Sequence, residues 1–231
     1  MNRLTAWIIG IWVALAGVAV AQSGPVVVEL YTSQGCSSCP PADKLLGELA
    51  KRDDVIALSL HVDYWDYIGW KDVFASPQYT KRQHAYARAA GKRMVYTPQM
   101  VIEGQDHVVG TKPREVSRLI KSHAAAKSPV SLSVDRNGNQ LTIKAQATGS
   151  PGKMVVQMVR FMDGQTVQIK RGENAGKALT YSNVVSEWKV LKEWDGKSPL
   201  TFTTGISGDD GCAIIIQKAS HGPVLAAAKV R

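Results

Sequence analysis

The sequence predicts an α/β unit built on a strand-helix-strand motif with a helical insertion, followed by an all-β sandwich. Three observations predict it. Pro25 to Tyr31 and Val55 to Val62 are short, β-branched and almost continuously apolar, as strands buried on both faces of a sheet are. Between them Leu45, Leu46 and Leu49 recur at helical spacing. Beyond Ser128-Pro129 the texture changes to short alternating runs separated by turn signals, a pattern of all-β sandwiches.

The N-terminus is set aside first. Arg3 precedes an apolar stretch from Trp7 to Val20, and Ala19-Val20-Ala21 supplies the small residues of a cleavage site, so residues 1–21 are expected to be a signal peptide that is removed. The apolar run is near the short end for crossing a bilayer, and no later stretch is long and apolar enough. The expected destination is the periplasm or the exterior, without stable membrane insertion after cleavage. The rest of the chain is long for one core, so two units are expected, at 24–127 and 129–231.

The formal charge of +9 comes from 28 Lys and Arg against 19 Asp and Glu. These cations are scattered along the chain rather than gathered in a block. They predict a soluble basic surface and no nucleic-acid partner.

In the first unit, Thr32 to Gly35 form a turn after the first strand. Pro40 and Pro41 fit only a first helical turn, where an amide hydrogen would lack an intrahelical partner, so Cys36 and Cys39 sit at a helix N-terminus. The two flanking strands should be parallel, which puts the cysteines at the carboxyl edge of the sheet, where α/β proteins place reactive groups. Asp63 to Trp70 is an aromatic and acidic loop. Ser76-Pro77 opens a basic helix from Gln78 to Ala90 that Gly91 stops, and this is the expected insertion. Thr97-Pro98 leads into a hairpin of Gln99 to Glu103 and Asp106 to Gly110, and Pro113 opens a last helix to about Ala126. In the second unit the clearest strands are Val130 to Val134, Leu141 to Ala147, Met154 to Met162, Val184 to Trp194 and Cys212 to Gln217.

The chemistry rests on the cysteines. A helix N-terminus favours a thiolate through its dipole and unpaired amide hydrogens, so Cys36 is the expected attacking group. Cys39, three residues on, can close on a mixed disulfide at Cys36 and release the partner. Other readings stay open. The pair can be a purely structural bridge, although so short a loop constrains the unfolded chain little. It can bind copper or zinc together with His61, His84 or Cys212, although a second cysteine pair at zinc-finger spacing is absent. It can also stiffen a non-catalytic binding protein. Cys212 is either a buried small residue or a free thiol.

These residues carry a resemblance. Val26 to about Ile120 resembles a thioredoxin fold, with Cys36-Ser37-Ser38-Cys39 as its active-site motif and Thr97-Pro98 as its cis-proline dipeptide. Glu29 to Asp43, His61 to Trp70, Tyr96-Thr97-Pro98-Gln99 and Arg171-Gly172-Glu173-Asn174 together resemble a secreted family, domain of unknown function 1223. The resemblance spans nearly all of the chain after the leader, and the family name carries no activity. It implies that Thr97 and Pro98 face the cysteines and offer backbone hydrogen bonds to a substrate. Without it, Thr97-Pro98 reads only as an entry into a strand.

Glu29 is the charged residue of an apolar strand, and burial raises a carboxyl's pKa, so it is a candidate proton acceptor for Cys39. An acid in a similar strand has this role in thioredoxins, although here the spacing to the first cysteine is one residue longer. Strand alternation can instead turn Glu29 toward a polar partner or solvent. Tyr64, Trp65, Tyr67 and Trp70 form either a lip for a partner or the packing of the insertion. His61 reads as a structural histidine. Arg171 to Gly176 is a polar, glycine-bearing loop, unusual in the β half, to which the residues assign no chemistry; it is either a domain-interface or partner contact or an ordinary loop.

The expectation is therefore an exported thioredoxin-like protein that exchanges disulfides with a protein or small-thiol partner, with no cofactor and no residues assigned as metal ligands. A copper-binding or metal-delivery module on the same cysteines is the rival reading.

Overall fold

The computed structural model describes residues 24–230; the leader expected at 1–21 lies outside the described residues. The first half runs β1 (Val26–Thr32), α1 (Pro40–Ala50), β2 (Val55–His61), α2 (Pro77–Ala89), β3 (Gln99–Ile102), β4 (Asp106–Val109) and α3 (Pro113–Ala124). β1 and β2 are parallel in register from Val26 opposite Val55 to Thr32 opposite His61, as their apolar runs predict. β3 lies antiparallel on the other side of β1, and β4 closes its hairpin.

Every residue of β1 and β2 is buried because helices cover both faces. Val28 and Leu30 pack with Ala42, Leu46 and Leu49 of α1 and with Val116, Leu119 and Ile120 of α3. Val27 and Tyr31 turn the other way, toward Tyr79 and Tyr86 of α2. This alternation, required by the period of two along a strand, decides which side chains can reach the cysteines. Each helix opens with proline in its first turn, and Ser76 also caps α2 by accepting from the Gln78 amide at 3.2 Å.

The second half supplies β5 (Val130–Asn137), β6 (Gln140–Ala147), β7 (Met154–Met162), β8 (Gln165–Gln168), β9 (Ala178–Tyr181), β10 (Val184–Trp194), β11 (Leu200–Gly205), β12 (Gly211–Lys218) and β13 (Val224–Val230). The strands read from the sequence are present; β8, β9, β11 and β13 are additional. The result is a mixed eight-stranded sheet ordered β13-β12-β7-β10-β2-β1-β3-β4, a three-stranded sheet β11-β6-β5 and the β8-β9 ribbon.

The expected boundary near residue 128 falls between α3 and β5, yet the sheet does not break there. β10 docks beside β2, Val184 opposite Ser59, and Asn183 secures the junction with its carboxamide donating to the Ala57 carbonyl at 2.9 Å. The sandwich of the second half thus takes one layer from the shared sheet. Its core joins Leu141, Ile143 and Leu200 of the small sheet to Val156, Ile214 and Ile216 of the large one. No helix among the described residues is long and apolar enough to cross a membrane.

Candidate functional site

β1 delivers the chain to the carboxyl edge of the sheet, where Ser33 to Gly35 turn and Cys36 to Cys39 lead into α1. Cys39 occupies the N-cap of α1; its carbonyl accepts the Ala42 amide at 2.8 Å and the Asp43 amide at 3.1 Å. Cys36 and Cys39 are joined, with Sγ atoms 2.05 Å apart. Ser37 and Ser38 at the tip are exposed, whereas Cys36 is only 1% exposed and Cys39 is fully enclosed.

Three loops pack around the turn and the helix start that carry the cysteines. The aromatic loop backs the turn before Cys36: a Cβ on Gly35 would lie 3.2 Å from Cβ of Trp65 and 3.1 Å from Cδ1 of Ile68, so a side chain there would push them back by a few tenths of an ångström. The Trp70 indole donates to Gln34 Oε1 at 2.8 Å. The Trp65 indole donates at 2.8 Å to Oγ1 of Thr97, joining this loop to the Thr97-Pro98 loop. The Thr97-Pro98 peptide is cis, as the resemblance implies. Pro98 lies near the first turn of α1, because a Cβ on Gly110 would touch both Ala42 Cβ at 2.9 Å and Pro98 Cβ at 3.3 Å. The third loop, between β8 and β9, comes from the second half. Asn174, fully buried, donates from its carboxamide to the carbonyls of Gln34 and Cys36, both at 3.0 Å, and Glu173 accepts the Ser37 amide at 3.4 Å. The segment that carried no assignable chemistry in the sequence is thus a wall of the cysteine site.

Below the bridge, on the α1 face of the sheet, lies a buried polar cluster. Thr32 donates to Oδ1 of Asp43 at 2.8 Å, and Nδ1 of His61 is 2.7 Å from Oδ2 of Asp72, which also accepts the Gln34 amide at 2.8 Å. The His61 and Tyr181 rings meet edge to face, 4.7 Å between centroids. Burial raises the Asp43 carboxyl to about 7; His61 and the Thr32 hydrogen bond pull it down, and the Asp72 charge adds to the rise. Burial likewise raises the Tyr181 phenol, with Asp43 and Asp72 adding to the rise. Gln34 Nε2, His61 Nε2 and the Tyr181 hydroxyl are buried without hydrogen-bond partners.

Glu29 is not part of this arrangement. It is buried on the opposite face of β1, where Arg82 grips it with Nε at 2.7 Å and Nη2 at 2.8 Å, and the Tyr31 and Tyr86 hydroxyls donate at 2.9 and 2.6 Å. Four donors saturate the carboxylate, and the sheet separates it from α1, so the proton acceptor expected there is not brought to the sulfurs. Asp43 was the residue to consider. It lies four positions after Cys39 and therefore on the same helical face, a spacing visible in the sequence, where Asp43 entered only as the end of the Glu29 to Asp43 stretch of the family resemblance.

Of the metal ligands considered above, the structure takes His84 and Cys212 away from the cysteines. His84 is exposed on α2, on the far side of the sheet, and Cys212 is buried in the sandwich core. Among the described residues no three His, Cys, Asp or Glu side chains are grouped to hold a metal ion. Of the aromatic loop, Tyr64 and Trp65 pack on the core and Tyr67 stands 81% exposed, so it contains both packing and a free ring.

Two solved structures are similar to this chain. A protein from Agrobacterium tumefaciens, solved by X-ray crystallography, is 37% identical with a TM-score of 0.77; the match covers 90% of this chain and 94% of that one. HBP35 of Porphyromonas gingivalis, at 14% identity and a TM-score of 0.63, covers 90% of this chain and 75% of its own, a likeness of fold alone. No curated protein matches. The model of the family described as protein of unknown function, DUF1223, matches residues 27–217, and the chain belongs to that family.

Proposed function

We propose that the protein is an exported, thioredoxin-like thiol-disulfide exchange protein, active in the periplasm or outside the cell, that works through Cys36 and Cys39. The observation that carries this reading is the cysteine pair bridged at the N-terminus of α1, beside the Thr97-Pro98 loop. In the reduced protein the Cys36 thiolate attacks a partner disulfide, forming a mixed disulfide and expelling one partner thiolate. Cys39, once deprotonated, attacks Cys36 and expels the second, so the partner gains two electrons and the protein becomes the bridged form. The reverse sequence oxidises a partner dithiol.

The carboxyl suited to take the Cys39 proton is Asp43, one turn further along α1, with a pKa near neutrality. Thr97 and Pro98 suit the role of backbone contact for the partner chain. The bonded state of the pair is compatible with an oxidising compartment.

Turnover of a fluorescent peptide disulfide in a glutathione buffer tests the reading. Cys36→Ser should abolish exchange with the fold intact, and Cys39→Ser should accumulate a mixed disulfide on Cys36. Full activity in Cys36→Ser would overturn the assignment.

A further inference from the structure

The bridge is enclosed, and one side chain from the far half of the sequence binds the turn that carries it. We propose that the segment joining β8 to β9 is a specificity gate over the bridge, with Asn174 as its latch, so that a thiol reaches Cys36 only when the latch releases. This rests on the exchange reading in one respect, that Cys36 is the sulfur a partner attacks.

Asn174 is fully buried, and its side chain makes three hydrogen bonds: two to the carbonyls of Gln34 and Cys36, and one accepted at Oδ1 from Nζ of Lys177 at 2.9 Å. Those carbonyls belong to the turn that presents Cys36, so the bonds fix the turn against the loop. Glu173 adds the Ser37 amide. A nucleophile must approach along the S–S axis, and a cysteine 1% exposed offers no such approach.

The latch sits on a ribbon anchored by Tyr181 against His61 and otherwise separate from the large sheet. β8 and β9 pair only with each other, outside the large sheet, and most of their side chains are exposed or half-buried. A small ribbon of this kind opens at lower free energy than the sheet core. Opening of limited width admits a small thiol more readily than a large one, which makes the loop a selector as well as a cover.

The test follows reduction of the protein's own bridge, which requires no catalysis. One thiolate of dithiothreitol attacks Cys36 Sγ, the bridge breaks, and Cys39 leaves and takes a proton. The second dithiothreitol sulfur then displaces Cys36, closing a cyclic disulfide and leaving two protein thiols. In the chain after leader removal, Asn174→Ala should raise the rate on the order of tenfold, the scale of losing two buried hydrogen bonds. The gain for reduced glutathione should be larger than for dithiothreitol. Ile143→Val, in the sandwich core, lowers global stability without touching the loop and should leave both rates unchanged. Should Asn174→Ala not fold, Lys177→Met, which frees one end of the latch, should give a smaller rise of the same kind. Unchanged rates in the latch variants, equal gains for the two thiols, or an equal rise in Ile143→Val would overturn the gate. Because no partner disulfide is turned over, the gate can fail while Cys36-dependent exchange stands, and the reverse.

Discussion

The Thr32 hydroxyl donates to Oδ1 of Asp43 at 2.8 Å, tying the last residue of β1 to α1 one turn beyond Cys39. That bond stabilises the charged form of a carboxyl whose burial favours the neutral form, and burial dominates, leaving Asp43 at about 7. Protonation in the folded chain therefore persists well above the pH at which the unfolded chain ionises.

The sign of the stability effect follows. A folded-state pKa raised above the unfolded value means that the folded protein binds the extra proton between about pH 4 and pH 7, so the contribution of Asp43 is fully present below that window and lost as pH rises through it. Glu103, which burial also raises to about 7, acts in the same window in both proteins compared and cancels. Asp43→Asn is expected to be more stable than the wild type at pH 8.5 by on the order of 2 kcal/mol and close to it at pH 4. Urea unfolding at the two pH values measures the difference. In exchange assays the same variant should slow Cys39-dependent release and lose a rate transition near pH 7.

Glu29 and Arg82 give the opposite expectation. Arg82 is buried, stacks over Trp188 with its guanidinium carbon 3.7 Å from the ring centroid, and binds Glu29 through two nitrogens. Removing one member leaves a buried charge without its counter-charge, at a cost of roughly 3–5 kcal/mol. Glu29→Gln and Arg82→Met should each lower stability on that scale, and the double variant should lose much less than their sum. Neither should move the pH dependence of Cys39 release. A shift with Glu29→Gln in a folded protein would return the proton-acceptor role to Glu29.

These two carboxyls show what the sequence makes legible. Elements within β1-α1-β2 follow from local patterning: continuous apolar runs, two prolines that fit only a first turn, and leucines at helical spacing. The charge of Glu29 inside an apolar run is equally plain. Its partner is not, because Arg82 sits 53 residues away on a helix whose docking face depends on the whole sheet. The same limit hid the joining of β10 to β2, which brings Val184 beside Ser59 with no local signal. Asn174 stood in a segment marked as unusual, but its reach to Cys36 across 138 residues exists only once β8 and β9 have paired.

Cys212 should prove inert. It lies in the sandwich core with Leu141, Ile143 and Ile214, and burial pushes its thiol up to about 11, with Arg160 and Arg136 pulling the other way. In Cys36→Ser/Cys39→Ser, a thiol reagent at pH 8 should label the folded protein at a small fraction of the rate for the urea-unfolded chain. Rapid labelling in the folded state would show that the core opens or that Cys212 is accessible. Cys212→Ala should cost about 1 kcal/mol and leave exchange unchanged.

The Trp65 indole supplies a last discriminating case, because it spans two of the loops around the cysteines. The Trp65 Cβ lies behind Gly35 and the indole N–H reaches Thr97 at 2.8 Å, so the aromatic loop and the Thr97-Pro98 loop are tied together. Trp65→Phe keeps most of the packing and removes the donor, whereas Thr97→Val removes the acceptor. Each should cost about 1 kcal/mol of stability, the net value of one part-buried hydrogen bond. If Thr97 and Pro98 contact the partner, both variants should also raise KM for a peptide disulfide several-fold while changing kcat little, since the sulfurs and Asp43 are untouched. A loss confined to stability, with KM unmoved, would make the bond a strut of the fold and remove the Thr97-Pro98 loop from partner recognition.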